Sequence, residues 1–92
     1  MTQERKVALV TGASRGIGAA IAKQLILDGY FVVGTATSSA GAEKISVEFA
    51  ENGAGLVLDV RDAGAIDALV TEIEQKYGPV LILVNNAGIT KD

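Results

Sequence analysis

Val7-Ala8-Leu9-Val10 runs directly into Thr11-Gly12-Ala13-Ser14-Arg15-Gly16-Ile17-Gly18, and this junction decides the fold. Three glycines fall within seven residues, between an apolar, valine-rich run and a helical pattern. Glycine there lets the backbone turn tightly and come close to whatever sits above it. The first N–H groups of a helix have no partner inside it, and the helix dipole adds roughly half a positive charge at that end, so a phosphate is stabilised there. A side chain at Gly12, Gly16 or Gly18 would crowd that phosphate or hold the helix off the sheet. The spacing is G-x-x-x-G-x-G rather than the G-x-G-x-x-G of the commonest dinucleotide fingerprint. Read alone, it also describes an ordinary glycine-rich strand-to-helix turn, so the elements around it have to be weighed with it.

Val7 to Val10 lacks the alternation of a strand with one wet face, as strands buried on both sides in parallel sheets do. From Gly16 to Asp28 the apolar residues Ile17, Ile21 and Leu25 recur every four positions, and Gly29 stands where a helix stops. Phe31-Val32-Val33-Gly34-Thr35 reads as a second strand. Thr37-Ser38-Ser39 offers caps for a helix whose apolar stripe is Ala42, Ile45 and Phe49 and which Asn52-Gly53 closes. Ala54-Gly55-Leu56-Val57-Leu58 is a third strand, ending at Asp59. Asp62 caps a third helix, the clearest of the chain, with Ile66, Leu69, Val70, Ile73 and Tyr77 along one face. Gly78-Pro79 stops it, and Val80-Leu81-Ile82-Leu83-Val84 reads as a fourth buried strand. The order β-α-β-α-β-α-β predicts an α/β fold of three layers, a parallel sheet of four strands with helices on its faces.

Ligands of such sheets bind beyond the carboxyl ends of the strands. The four ends here are Thr11-Gly12, Thr35-Ala36-Thr37, Asp59-Val60 and Asn85-Asn86-Ala87-Gly88, each small or polar as a shared crevice requires. An NAD site usually places an acidic residue at the end of the second strand to hold the ribose 2′-hydroxyl. Positions 35 to 39 contain none. Thr37 can donate a hydrogen bond, and Arg15 can form a charge-assisted pair with a 2′-phosphate, which points to NADP. The alternative reading of Arg15 is an ordinary solvated loop arginine. Asn85 also has two readings, as part of the crevice or as a tie between the fourth strand and its neighbours.

Composition limits the chemistry. Ninety-two residues make one small domain at most, burying about 60–65% of the unfolded surface. At 49% hydrophobic and 21% charged residues the chain is too apolar for a disordered segment. The net charge of −3, without a Lys/Arg run, argues against a nucleic-acid or anionic-membrane surface. Cysteine and histidine are both absent, which removes disulfides, thiolate nucleophiles, imidazole bases and the usual zinc ligands, so no metal site is expected. The polar start Met-Thr-Gln-Glu-Arg-Lys and the lack of a long apolar run point to a cytoplasmic, soluble protein.

With the glycine turn, Asp59-Val60 and Asn85-Asn86-Ala87-Gly88 placed, the chain resembles the N-terminal part of a short-chain dehydrogenase/reductase. Val33-Gly34-Thr35-Ala36-Thr37-Ser38 and Leu83 to Asp92 most resemble the bacterial 3-oxoacyl-acyl-carrier-protein reductases within that family. The resemblance covers residues 1–92 and implies a Rossmann-type half-domain that binds NADP. It implies that Gly12, Ala13, Ser14, Arg15, Gly16, Ile17 and Gly18 cradle the pyrophosphate, with Arg15 and Thr37 at the 2′-phosphate. It also implies that Asp59 accepts from the adenine amino group, that the Val60 backbone meets the adenine edge, and that Asn86, Ala87 and Gly88 line the ribose and nicotinamide side. The parent activity would be NADPH-dependent reduction of a 3-oxoacyl group on acyl-carrier protein, in fatty-acid synthesis.

The chain departs from the family in length and in catalytic residues. Members are usually about 250 residues, and their chemistry rests on a serine and a Tyr-x-x-x-Lys pair in later segments. Four residues after Tyr30 comes Gly34, and four after Tyr77 comes Leu81, so neither tyrosine fits that pair. A truncated, cofactor-binding part without turnover of its own is therefore expected, with weak cofactor affinity. The alternative is a stand-alone half-domain that binds a dinucleotide or self-associates without turnover. A fourth strand with one side unpaired, and with neither charge nor proline inside it, predicts a dimer or higher assembly.

Overall fold

The computed structural model describes residues 6–59 and 61–86. Among these, β1 (Val7–Val10), α1 (Gly16–Leu27), β2 (Phe31–Ala36), α2 (Ser39–Phe49), β3 (Gly53–Val57), α3 (Ala63–Lys76) and β4 (Val80–Val84) follow in order. A single 3-10 turn, Ala50–Asn52, joins α2 to β3. The strands form one parallel sheet in the order β3-β2-β1-β4. The expected α/β half-domain with a four-stranded parallel sheet is thus the observed one.

Burial follows from the alternation of side chains across a sheet. Ala8, Val10 and Val32 point to one face and meet Ala22 of α1 with Ile45 and Phe49 of α2. Val7, Leu9 and Val33 point to the other face and meet Leu69 and Ile73 of α3. Every residue of β1 is fully buried, as its unbroken apolar run requires. The stripe of α3 extends to Tyr77, whose ring lies 4.7 Å from that of Phe31, so this tyrosine is a packing residue.

Local chemistry sets the helix limits. The Ser38 side chain accepts from Gly41 N–H at 3.1 Å to cap α2, and the Asp62 side chain accepts from Gly64 N–H at 3.1 Å to cap α3. Gly29 and Gly78, with φ of 96° and 130°, turn the chain away from α1 and α3.

Two expectations need correction. Gly53 does not close the second helix; α2 ends at Phe49, Ala50 takes φ of 52°, and Gly53 is the first residue of β3. The reason is close packing of α2 on β3: a Cβ on Gly55 would overlap the Ala42 carbonyl oxygen, and one on Gly53 would crowd the Phe49 ring. Gly53, read from sequence as a stop signal, is a contact point. The fourth strand is not buried on both sides either. Leu81 and Leu83 are 59% and 49% exposed while Ile82 and Val84 pack inward, because β4 lies at the margin of the sheet and α3 does not cover its outer half.

Candidate functional site

Where β1 ends, Thr11 is fully buried and ties the turn to the end of β4. Its N–H donates to the Val84 carbonyl at 3.0 Å, and its hydroxyl accepts from Asn86 N–H at 2.9 Å. The hydroxyl hydrogen has two acceptors at 3.4 Å, the Val84 carbonyl and Asn85 Oδ1. Of the two readings of Asn85, this contact is one by which the residue ties the end of β4 to the end of β1. Asn86 reaches back across the turn, its Nδ2 donating to the Gly12 carbonyl at 3.2 Å.

On the other side, Thr35 of β2 holds the turn. Gly12 N–H donates to its hydroxyl at 3.3 Å and Ala13 N–H to its carbonyl at 2.9 Å. Those two amides are thus committed within the protein. Gly12 and Gly16 both have φ of 66°, the left-handed region in which a side chain is disfavoured. A Cβ added to Gly16 would meet no other atom within 4 Å, so its conformation alone calls for glycine, whereas a Cβ on Gly18 would overlap the Gly12 carbonyl and lie 2.8 Å from Asn86 Nδ2. Gly18 is the point at which α1 closes on the turn.

Helix α1 begins without a cap. Arg15 stands at its N-cap position with no side-chain hydrogen bond to the helix, and its first turn holds no acidic residue. Both α2 and α3 cap themselves. The first amides of a helix lack partners inside it, and the start of α1 borders a groove of about 360 Å³ lined by Gly12, Ser14, Arg15, Gly16 and Ile17 of the turn. Thr35, Ala36 and Thr37 from the end of β2 form the second wall, and Leu58 and Asn86 the remainder.

Of the residues singled out from sequence, Gly12, Ser14, Arg15, Gly16, Ile17, Thr37 and Asn86 meet in this groove. Ala13 and Gly18 are buried beneath it and shape it. Asp59 lies one residue beyond the lining Leu58, and its two oxygens are taken by Arg61, from Nε to Oδ1 and from Nη2 to Oδ2, each at 3.0 Å. These hydrogen bonds hold the Asp59 carboxyl at about 2, down from an ordinary 3.8, and raise Arg61 in turn. A depressed carboxyl keeps its full charge above the ordinary carboxylate range and loses it only as pH falls toward 2. Val60, Ala87 and Gly88 lie outside the described residues. Thr35, Ala36 and Leu58 were not singled out as binding residues, although the small polar end of β2 was a visible signal. Nothing in the sequence alone marked Arg61.

The residues present suit a dinucleotide: a cradle closed by Gly18 and an uncapped helix start. A model of the short chain dehydrogenase family matches residues 6–92, and the chain belongs to that family. It is 54% identical to the 3-oxoacyl-acyl-carrier-protein reductase of Escherichia coli, across 100% of this chain and 38% of the relative. The corresponding reductase of Pseudomonas aeruginosa is 56% identical over the same shares. That of Haemophilus influenzae is 55% identical, covering 95% of this chain and 36% of its own length. The chain thus spans less than two-fifths of the curated relatives it matches. Among the described residues no helix is long and apolar enough to cross a membrane.

Proposed function

We propose that residues 1–92 are the NADP-binding N-terminal segment of a 3-oxoacyl-acyl-carrier-protein reductase of fatty-acid synthesis, acting in the cytoplasm. The observation that carries this reading is the uncapped first turn of α1, set above a turn whose own Gly12 and Ala13 amides are already bonded to Thr35. Donors without an internal partner at a helix start await an anion. The Gly16 to Gly18 backbone would hold the pyrophosphate, with Arg15 and Thr37 at the 2′-phosphate. Asp59 and the Val60 backbone would meet the adenine, and Asn86, Ala87 and Gly88 the ribose and nicotinamide. NADPH, when bound, supplies hydride to the 3-oxo carbonyl of an acyl chain carried on acyl-carrier protein. The task of this chain is to hold and orient that cofactor. Neither nucleic acid nor membrane is part of the reading.

The test is a titration with NADPH and, separately, NADH. Saturable binding that favours NADPH, and that weakens about tenfold in Arg15→Ala through loss of a charge-assisted pair, supports the proposal. A folded chain that binds neither dinucleotide overturns it.

A second reading, self-association of this chain, is favoured by the exposed Leu81 and Leu83 on a marginal strand. An unpaired apolar strand edge pairs readily with another chain. The two readings are compatible, since the groove opens at the strand ends and the apolar margin runs along β4.

A further inference from the structure

Asp59 is the acceptor that the proposed function assigns to adenine, yet its carboxylate is already heavily engaged. Arg61 N–H donates to Oδ1 at 3.0 Å, Arg61 Nε–H donates to the same oxygen at 3.0 Å, and Arg61 Nη2 donates to Oδ2 at 3.0 Å. A carboxylate offers about four lone-pair directions, two on each oxygen. Both directions of Oδ1 are taken, and one remains on Oδ2.

Backbone bonds fix the segment that carries the pair. Leu58 N–H donates to the Ala36 carbonyl at 2.9 Å, which ties Leu58 to the end of β2 where the groove begins. Asp62 N–H donates to the Asp59 carbonyl at 3.0 Å, closing a turn into α3. Asp59 therefore stands at the rim of the groove on a braced backbone. The pair itself is solvent-exposed, with side chains 88% and 53% accessible for Arg61 and Asp59, and such pairs add little to stability. Its planar, two-point geometry controls orientation instead.

We propose that Arg61 is a positioning residue for base recognition: it fixes the plane of the Asp59 carboxylate and leaves Oδ2 as the single acceptor for the exocyclic amino group of adenine. The inference rests on the dinucleotide reading above and adds a residue to it. A base with a keto oxygen in place of that amino group, as in hypoxanthine, brings an acceptor against an acceptor and binds less tightly. Arg61 also offsets the charge of Asp59, which lessens the repulsion that this carboxylate would exert on the ligand's phosphates.

The experiment compares binding of NADPH with that of its hypoxanthine analogue by calorimetry, in the unaltered chain and in R61A, R61K, D59A and the D59A/R61A double variant. The unaltered chain is expected to favour NADPH by about tenfold, as one hydrogen bond to a charged group allows. R61A cuts that ratio at least threefold while leaving affinity for the hypoxanthine analogue within twofold, and R61K, whose ammonium cannot span both oxygens, is intermediate. D59A removes the preference, and adding R61A to it changes nothing further. Retention of the full preference in R61A overturns the inference. So does equal weakening of both ligands, which would place Arg61 at the phosphates. Equal binding of both ligands by the unaltered chain also overturns the role of Arg61 while the dinucleotide reading stands. Failure of a folded chain to bind either ligand overturns both.

Discussion

Gly16 and Gly18 are two residues apart and are glycine for different reasons. At Gly16 the backbone is left-handed and there is space around it, so Gly16→Ala is expected to cost about 1–2 kcal/mol through conformation alone. At Gly18 the backbone is ordinary, but a methyl group would overlap the Gly12 carbonyl and press on Asn86. Gly18→Ala is expected to cost about 1–3 kcal/mol and to weaken dinucleotide binding, since it forces α1 off the turn. Urea midpoints for stability and the NADPH titration for binding distinguish the two. The glycine pattern pointed to the turn, since three glycines between a strand run and a helix run leave few other uses. It did not separate these roles. Thr11 and Thr35 were harder still to assign, because their bonds run to Asn86 and to Gly12 and Ala13 across different strands and exist only once β1 sits between β2 and β4. The Asp59–Arg61 pairing depends on two side-chain rotamers, which spacing does not specify.

Among the elements, the helices were the most legible, since capping and apolar stripes are local signals. Ser38 and Asp62 cap as their positions suggested, and Ala42, Ile45 and Phe49 are the buried side of α2. The exit from α2 is not legible in the sequence because its reason is tertiary. Closely packed glycines in β3 bring the strand right under the helix, so the chain must reverse sooner, and Ala50 does so at φ of 52°. An alanine there is strained by about 1–3 kcal/mol, and glycine loses part of that gain through its freer unfolded state. Ala50→Gly is expected to stabilise the chain by about 1 kcal/mol, read as a higher denaturation midpoint with an unchanged slope. A fall in midpoint would show that the methyl group makes contacts that outweigh the strain.

For the molecule as a whole, strand number, direction and layering were readable because three β-α units in succession allow few arrangements. The exposure of one side of β4 was not, since a run of five apolar residues looks the same in the middle of a sheet and at its margin. That margin supports an expectation about assembly: sedimentation at rising concentration should show self-association, and Leu83→Lys, which sets a charge on the apolar side of β4, should shift the chain toward monomer. A monomer at every concentration would exclude pairing through β4. The opposite margin behaves otherwise, because the Ser46 hydroxyl of α2 accepts from Gly55 N–H of β3 at 2.9 Å. One hydroxyl thereby occupies an amide that a visiting strand would need. Two such chains that meet through β4 form a closed pair with twofold symmetry, and the amide that Ser46 occupies leaves the β3 border one donor short for a third chain.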